Sequence, residues 1–160
     1  MMEVERKLAD MGLELPPPVK APPGVALPFS FVRVRDGIAY ISGHGPQNAD
    51  GTLAGPFGKV GADVTVEQGY EAAKAVALSM LGSLKRELGD LDRLSAWLRL
   101  HGMVNCRSDF AQQPAVINGC SDLILALYGP DRGAHARSAV GMGALPFNMA
   151  VEIEAMAAID

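Results

Sequence analysis

Three features of the sequence predict an α+β fold: a hairpin-like strand pair at each end, two amphipathic helices, and one long strand between those helices. The expected order is ββαβαββ, a mixed β-sheet with both helices packed on one face. A doubly wound parallel sheet would need regular strand–helix alternation, which is absent here. The 160 residues suit one folded core. Residues 1–27 read as an N-terminal helix and proline-rich arm, and residues 28–160 as the domain proper.

Val4, Leu8 and Met11 fall at helical spacing, so residues 2–12 form a short amphipathic helix that Gly12 can end. Leu15-Pro16-Pro17-Pro18 and Pro22-Pro23-Gly24 then make a stiff, surface-hugging connector. Phe29 to Arg35 alternates as a strand, Asp36-Gly37 is a two-residue hairpin turn, and Ile38 to Ser42 returns. Glycines at 45, 51, 55, 58 and 61 mark a loop with room for a small strand at Thr52-Leu53. Thr65-Val66-Glu67-Gln68 has the form of a capping box. It opens a helix whose apolar face runs from Tyr70 to Leu88 before Gly89-Asp90. Leu94 to Asn105 reads as a long strand with Leu94, Ala96 and Leu98 on one face and Ser95, Trp97 and Arg99 on the other. Pro114 suits the first turn of a second helix, continued from Ala115 to Tyr128 and ended by Gly129-Pro130. Ser138–Met142 and Val151–Ala157 are the last two strands. The sheet face away from the helices is expected to carry charges together with Trp97 and Ala139, a mixed surface suited to packing on copies of itself.

Composition narrows function. A net charge of −4 and a pI near 5.3 offer no basic footprint, so a nucleic-acid partner is disfavoured. No apolar run is long enough to span a bilayer, and the first residues lack a signal peptide's apolar core, so a cytoplasmic setting is expected. Cys106 and Cys120 lack CxxC spacing and read as buried thiols. His44, His101 and His135 show no metal-binding spacing, so no metal is expected. Gly141-Met142-Gly143 leads into Ala144-Leu145-Pro146 rather than a helix, which rejects a dinucleotide fingerprint. No Walker loop and no G-x-S-x-G elbow is present.

The most informative stretch is His135 to Ala158. Arg137 opens an apolar run, and Glu152 and Glu154 share one face of an otherwise apolar strand. Charges there need partners or water. Two readings stand side by side. The acids lie on the wet face of a half-exposed sheet with Arg137 at the surface. Alternatively, Arg137, the nearest cation in the stretch, grips a carboxylate while a glutamate handles a proton or a water.

Arg137-Ser138-Ala139-Val140, Leu145-Pro146 and Val151-Glu152-Ile153-Glu154-Ala155 together resemble the C-terminal signature of the RidA/YjgF family, the reactive-intermediate deaminases. Pro28-Phe29, Ile41-Ser42-Gly43 and Asp109-Phe110-Ala111 followed by Asn118 extend the resemblance over most of residues 28–159. Gln113-Pro114 and Asn118-Gly119-Cys120-Ser121 resemble a longer branch.

The resemblance implies a chorismate-mutase-like fold, a homotrimer with clefts between subunits, and hydrolysis of 2-imino or 2-enamino acids to 2-keto acids and ammonia without a cofactor. It also implies roles. Arg137 would grip the substrate carboxylate and Glu154 would position water, while Ser42, Gly43 and Asn118 would line the cleft. Phe29 stands where many members have tyrosine and Ala139 where many have cysteine. The first change removes a hydroxyl from the cleft. The rival readings are a non-catalytic trimer that binds small carboxylates through Arg137 and, against the acidic pI, an endoribonuclease or translation inhibitor.

Overall fold

Asp36 and Gly37, at φ 50° and 75°, close the first hairpin with the paired left-handed residues of a tight two-residue turn. The computed structural model describes residues 2–160. Helix α1 (Glu3–Asp10) and an extended arm precede strands β1 (Val32–Arg35) and β2 (Ile38–His44). Helix α2 (Val66–Leu88), strand β3 (Leu94–Asn105) and helix α3 (Gln113–Arg132) follow. Strands β4 (Ala136–Met142) and β5 (Val151–Ile159) end the chain.

The fold is α+β, with one five-stranded sheet in the order β1-β2-β5-β3-β4. Only β3 and β4 run parallel; the other pairs are antiparallel. The first hairpin forms as expected, but β4 and β5 do not pair with each other. Helix α3 is the crossover that lays β4 beside β3, and the turn at Leu145–Asn148 then carries β5 to the far side of β3.

Helices α2 and α3 cover one face. Thr65 caps α2: its hydroxyl accepts from the Gln68 N–H, and the Gln68 side chain accepts from the Thr65 N–H. Val76, Met80, Leu84, Ile117 and Ile124 meet Leu100, Val104, Val151 and Ile153 in one core. Helix α1 is tied on by Val4 and Leu8, both buried, and by Asp92, whose carboxylate accepts from the Glu3 N–H at 2.7 Å. Among the described residues no helix is long and apolar enough to cross a membrane.

Local differences have physical causes. Irregularities at Leu94/Ala96 and Trp97/Arg99 break the alternation of β3. Trp97 therefore turns inward and packs edge-on against Tyr128 of α3, not outward with Arg99. Ala139 likewise packs against the core from the helix side. Phe29 precedes β1, in the arm. Gly129 has non-helical angles inside the last turns of α3, so the regular helix stops after Tyr128 as expected.

Candidate functional site

Strand register decides which groups can meet. Arg137 pairs with Leu100, which pairs with Ala155; these residues face the helices. Glu152 pairs with Met103 and Glu154 with His101, on the opposite face. Within one chain, Arg137 is therefore not the partner of either acid.

Arg137 is half-buried between β4 and α3. Its Nη1 donates to the Ser121 hydroxyl at 3.0 Å and its Nη2 to the Pro114 carbonyl at 3.3 Å. His135 orients that hydroxyl. Its Nδ1 lies 2.7 Å from the Gly133 carbonyl and must donate, which leaves Nε2, at 2.9 Å, to accept from Ser121. Arg137 joins none of the ion pairs among the described residues. Its fork is held by neutral acceptors, and its charge has no carboxylate partner. Asn118 shares the α3 stripe of Pro114 and Ser121, and Ala139 lies two residues along β4 on the same face. Cys120 is fully buried nearby, and that burial pushes its thiol up to about 12 despite the Arg137 charge, so it is no nucleophile.

A second group lies across the molecule. Phe29, Phe31, Gly43, Phe147, Met149 and Glu152 line a hollow of about 320 Å³. Gly43 lies close against the acid: a Cβ there would sit 2.8 Å from Glu152 Oε2, so the carboxylate would have to shift. Burial first, and the charge of Glu154 second, raise the Glu152 carboxyl above its ordinary range. Its side chain is flanked by apolar rings rather than by cations.

Glu154, the acid expected to position water, is elsewhere. It is exposed in a neighbouring hollow with Arg33, Tyr40, Ser42, Arg99 and His101. Ser42 donates its hydroxyl to the Ser30 carbonyl at 2.7 Å, so its proton is committed to the backbone. The acid beside Phe29 and Gly43 is Glu152. The VEIEA string alone cannot separate two acids that share a face. The signal that does is the irregularity between Ile41 and His44, which brings Gly43 against Glu152.

The carboxylates of Glu5, Asp90 and Asp92 lie within 4.8 Å of one another, but each has a structural task. Glu5 pairs with Lys85, Asp90 caps the turn at Leu91–Arg93, and Asp92 accepts from the first N–H groups of α1.

Comparison with known proteins agrees with the fold. A family model described as "YjgF/chorismate mutase-like, putative endoribonuclease" matches residues 5–158. Protein TCP17 of Trypanosoma cruzi is 37% identical over 145 residues, covering 86% of this chain and 89% of that protein. A crystal structure of a protein of unknown function from Agrobacterium tumefaciens superposes with a TM-score of 0.86 at 35% identity, covering 99% of this chain and 92% of the other. A "putative endoribonuclease" from Shewanella oneidensis gives 0.85 at 31% identity, covering 98% and 99%.

Proposed function

The chain belongs to the YjgF/chorismate mutase-like family, and from that premise we propose that it hydrolyses 2-imino and 2-enamino acids to 2-keto acids and ammonia. The site would be shared by neighbouring copies of a homotrimer. Arg137, Asn118 and Ala139 of one copy would face Phe29, Gly43 and Glu152 of the next. The observation that carries this reading is the Arg137 fork, pre-positioned by neutral acceptors and without a carboxylate of its own. A two-pronged bond to the substrate carboxylate is its natural use.

A protonated imine carbon is already electrophilic. Glu152 takes one proton from water as the oxygen bonds to that carbon and returns it to the nitrogen. As the carbon–nitrogen bond breaks, Glu152 accepts the remaining hydroxyl proton, the carbonyl forms, and that proton passes to the departing ammonia. Ammonium and the keto acid leave. A carboxyl held above its ordinary range suits both halves of that exchange. Arg137 holds ground and transition states alike, so its chief contribution is to binding.

Three observations support association. The open sheet face exposes Tyr40 at 46% and Val140 at 36%. The buried Nδ1 of His101 on that face has no hydrogen-bond partner. Strand β4, which carries Arg137, is a sheet edge.

The test is release of ammonia and keto acid from 2-aminoacrylate generated in situ. Arg137→Ala is expected to raise KM far more than it lowers kcat; equal rates in variant and wild type reject the reading. Binding of 2-ketobutyrate that Arg137→Ala abolishes, without turnover of any imine, would instead make the protein a carboxylate-binding module. RNA binding that weakens with salt would favour the endoribonuclease reading suggested by the family description.

A further inference from the structure

From the walls of the hollow beside Glu152 we infer that this site selects imino and keto acids with large, uncharged side chains, and that the N-terminal arm sets the size limit. The inference rests on the deaminase reading for the reaction, but not for binding. Glu152 is the one ionisable group in a lining otherwise made of apolar side chains, glycines and prolines. Leu27 comes from the arm, Leu53 from the loop after β2, and Phe147 and Met149 from the turn before β5.

At about 320 Å³ the hollow lies at the lower end of the roughly 300–1,000 Å³ range of ligand pockets. A methyl group would leave most of it to water held against apolar walls. A leucine- or phenylalanine-type side chain would displace that water and gain from burial. A second carboxylate on the ligand would be desolvated beside Glu152 and repelled by it.

Phe29 and Phe31 stack edge to face at 5.1 Å, and Phe29 remains 51% exposed at the rim. Phe147, 46% exposed, is held with φ at 57°. Left-handed backbone is costly for a bulky residue, and such strain concentrates where side-chain placement has a use. A phenylalanine at position 29, in place of a tyrosine, completes a wall without a hydroxyl.

The experiment titrates the full-length protein calorimetrically with pyruvate, 4-methyl-2-oxopentanoate and 2-oxoglutarate. It also follows hydrolysis of the imines that an amino-acid oxidase makes from alanine and leucine. The branched keto acid is expected to bind on the order of tenfold tighter than pyruvate, and 2-oxoglutarate most weakly. Leu27→Trp fills the hollow from the arm and should bring the affinity for the branched acid down to that for pyruvate, with a far-UV spectrum like that of wild type reporting a folded protein. Leu53→Trp, from the loop after β2, should do the same if the first variant does not fold. Pyruvate binding as tightly as the branched acid, 2-oxoglutarate binding as tightly as either, a preference that survives both tryptophans, or no binding at all overturns the inference. A preference without hydrolysis of either imine leaves it standing and removes the deaminase reading. Hydrolysis of both imines at equal efficiency, with equal affinities, does the reverse.

Discussion

Glu152 and Glu154 stand two residues apart on one face of β5, yet their surroundings differ: apolar rings and Gly43 for the first, Arg33, Arg99 and His101 for the second. In the proposed reaction, proton transfer would fall to Glu152, whose charged form is disfavoured by burial. Glu152→Gln is therefore expected to lower kcat on imino acids by about 10²–10⁴-fold, with a far-UV spectrum like that of wild type. Glu154→Gln should keep turnover. Glu152 must be ionised to take a proton from water, so activity falls as pH drops through its raised value. Removing Glu154 takes away the second cause of that rise, and the acidic limb of the kcat/KM profile should move to lower pH. A larger loss in Glu154→Gln than in Glu152→Gln would reverse the roles.

Strand β2 shows an element whose irregularity serves both core and site. Ile41 pairs with Ala155 and His44 with Ile153, so Ser42 and Gly43 together oppose Glu154. The extra residue turns His44 into the core, 3% exposed, against Phe31 and helix α2. Its Nδ1 donates to the Ser42 carbonyl at 2.6 Å, and its Nε2 accepts from the Ser83 hydroxyl at 2.9 Å. Burial pushes His44 down from 6.5 to about 4, aided by the Arg86 charge and opposed by the Ser42 carbonyl. The unfolded chain therefore binds the proton first as pH falls. The stabilisation is fully present above pH 6.5 and is lost between 6.5 and about 4. The shift is worth roughly 3 kcal/mol, and chemical denaturation across that window should show it. His44→Asn should flatten that part of the profile.

At the scale of the whole molecule, the two halves of the proposed site lie on opposite faces of one sheet. A complete site then needs two copies, which can be tested by complementation. Assayed well below the KM of wild type, Arg137→Ala and Glu152→Gln should each show little activity alone. Trimers formed by co-refolding the two should regain activity, because about a quarter of the interfaces hold both native groups at equal mixing. Sedimentation should report the trimer. A monomer in solution, or hybrids as inactive as the parents, would remove the shared cleft.

Much of the fold was legible because its signals are local. The capping box at Thr65, the Asp36-Gly37 turn and the apolar spacing of α2 and α3 each announce an element over a few residues. The placement of the candidate residues was legible in part: type and wording singled out Arg137, Phe29, Gly43 and Asn118, but not which of Glu152 and Glu154 lies beside Phe29 and Gly43. Ser121, which orients Arg137, carried no signal because it acts only through a contact sixteen residues away in sequence. The inward turn of Trp97 and the separation of β4 from β5 were equally hidden, because a bulge and a crossover are settled by pairing partners rather than by local periodicity. The sequence by itself determined the elements, their order and the family, since periodicity, turn chemistry and capping act between near neighbours. The tertiary structure alone decided which acid faces the apolar hollow and that Arg137 lies on the other side of the sheet, because a one-residue change of register moves a side chain from one face to the other.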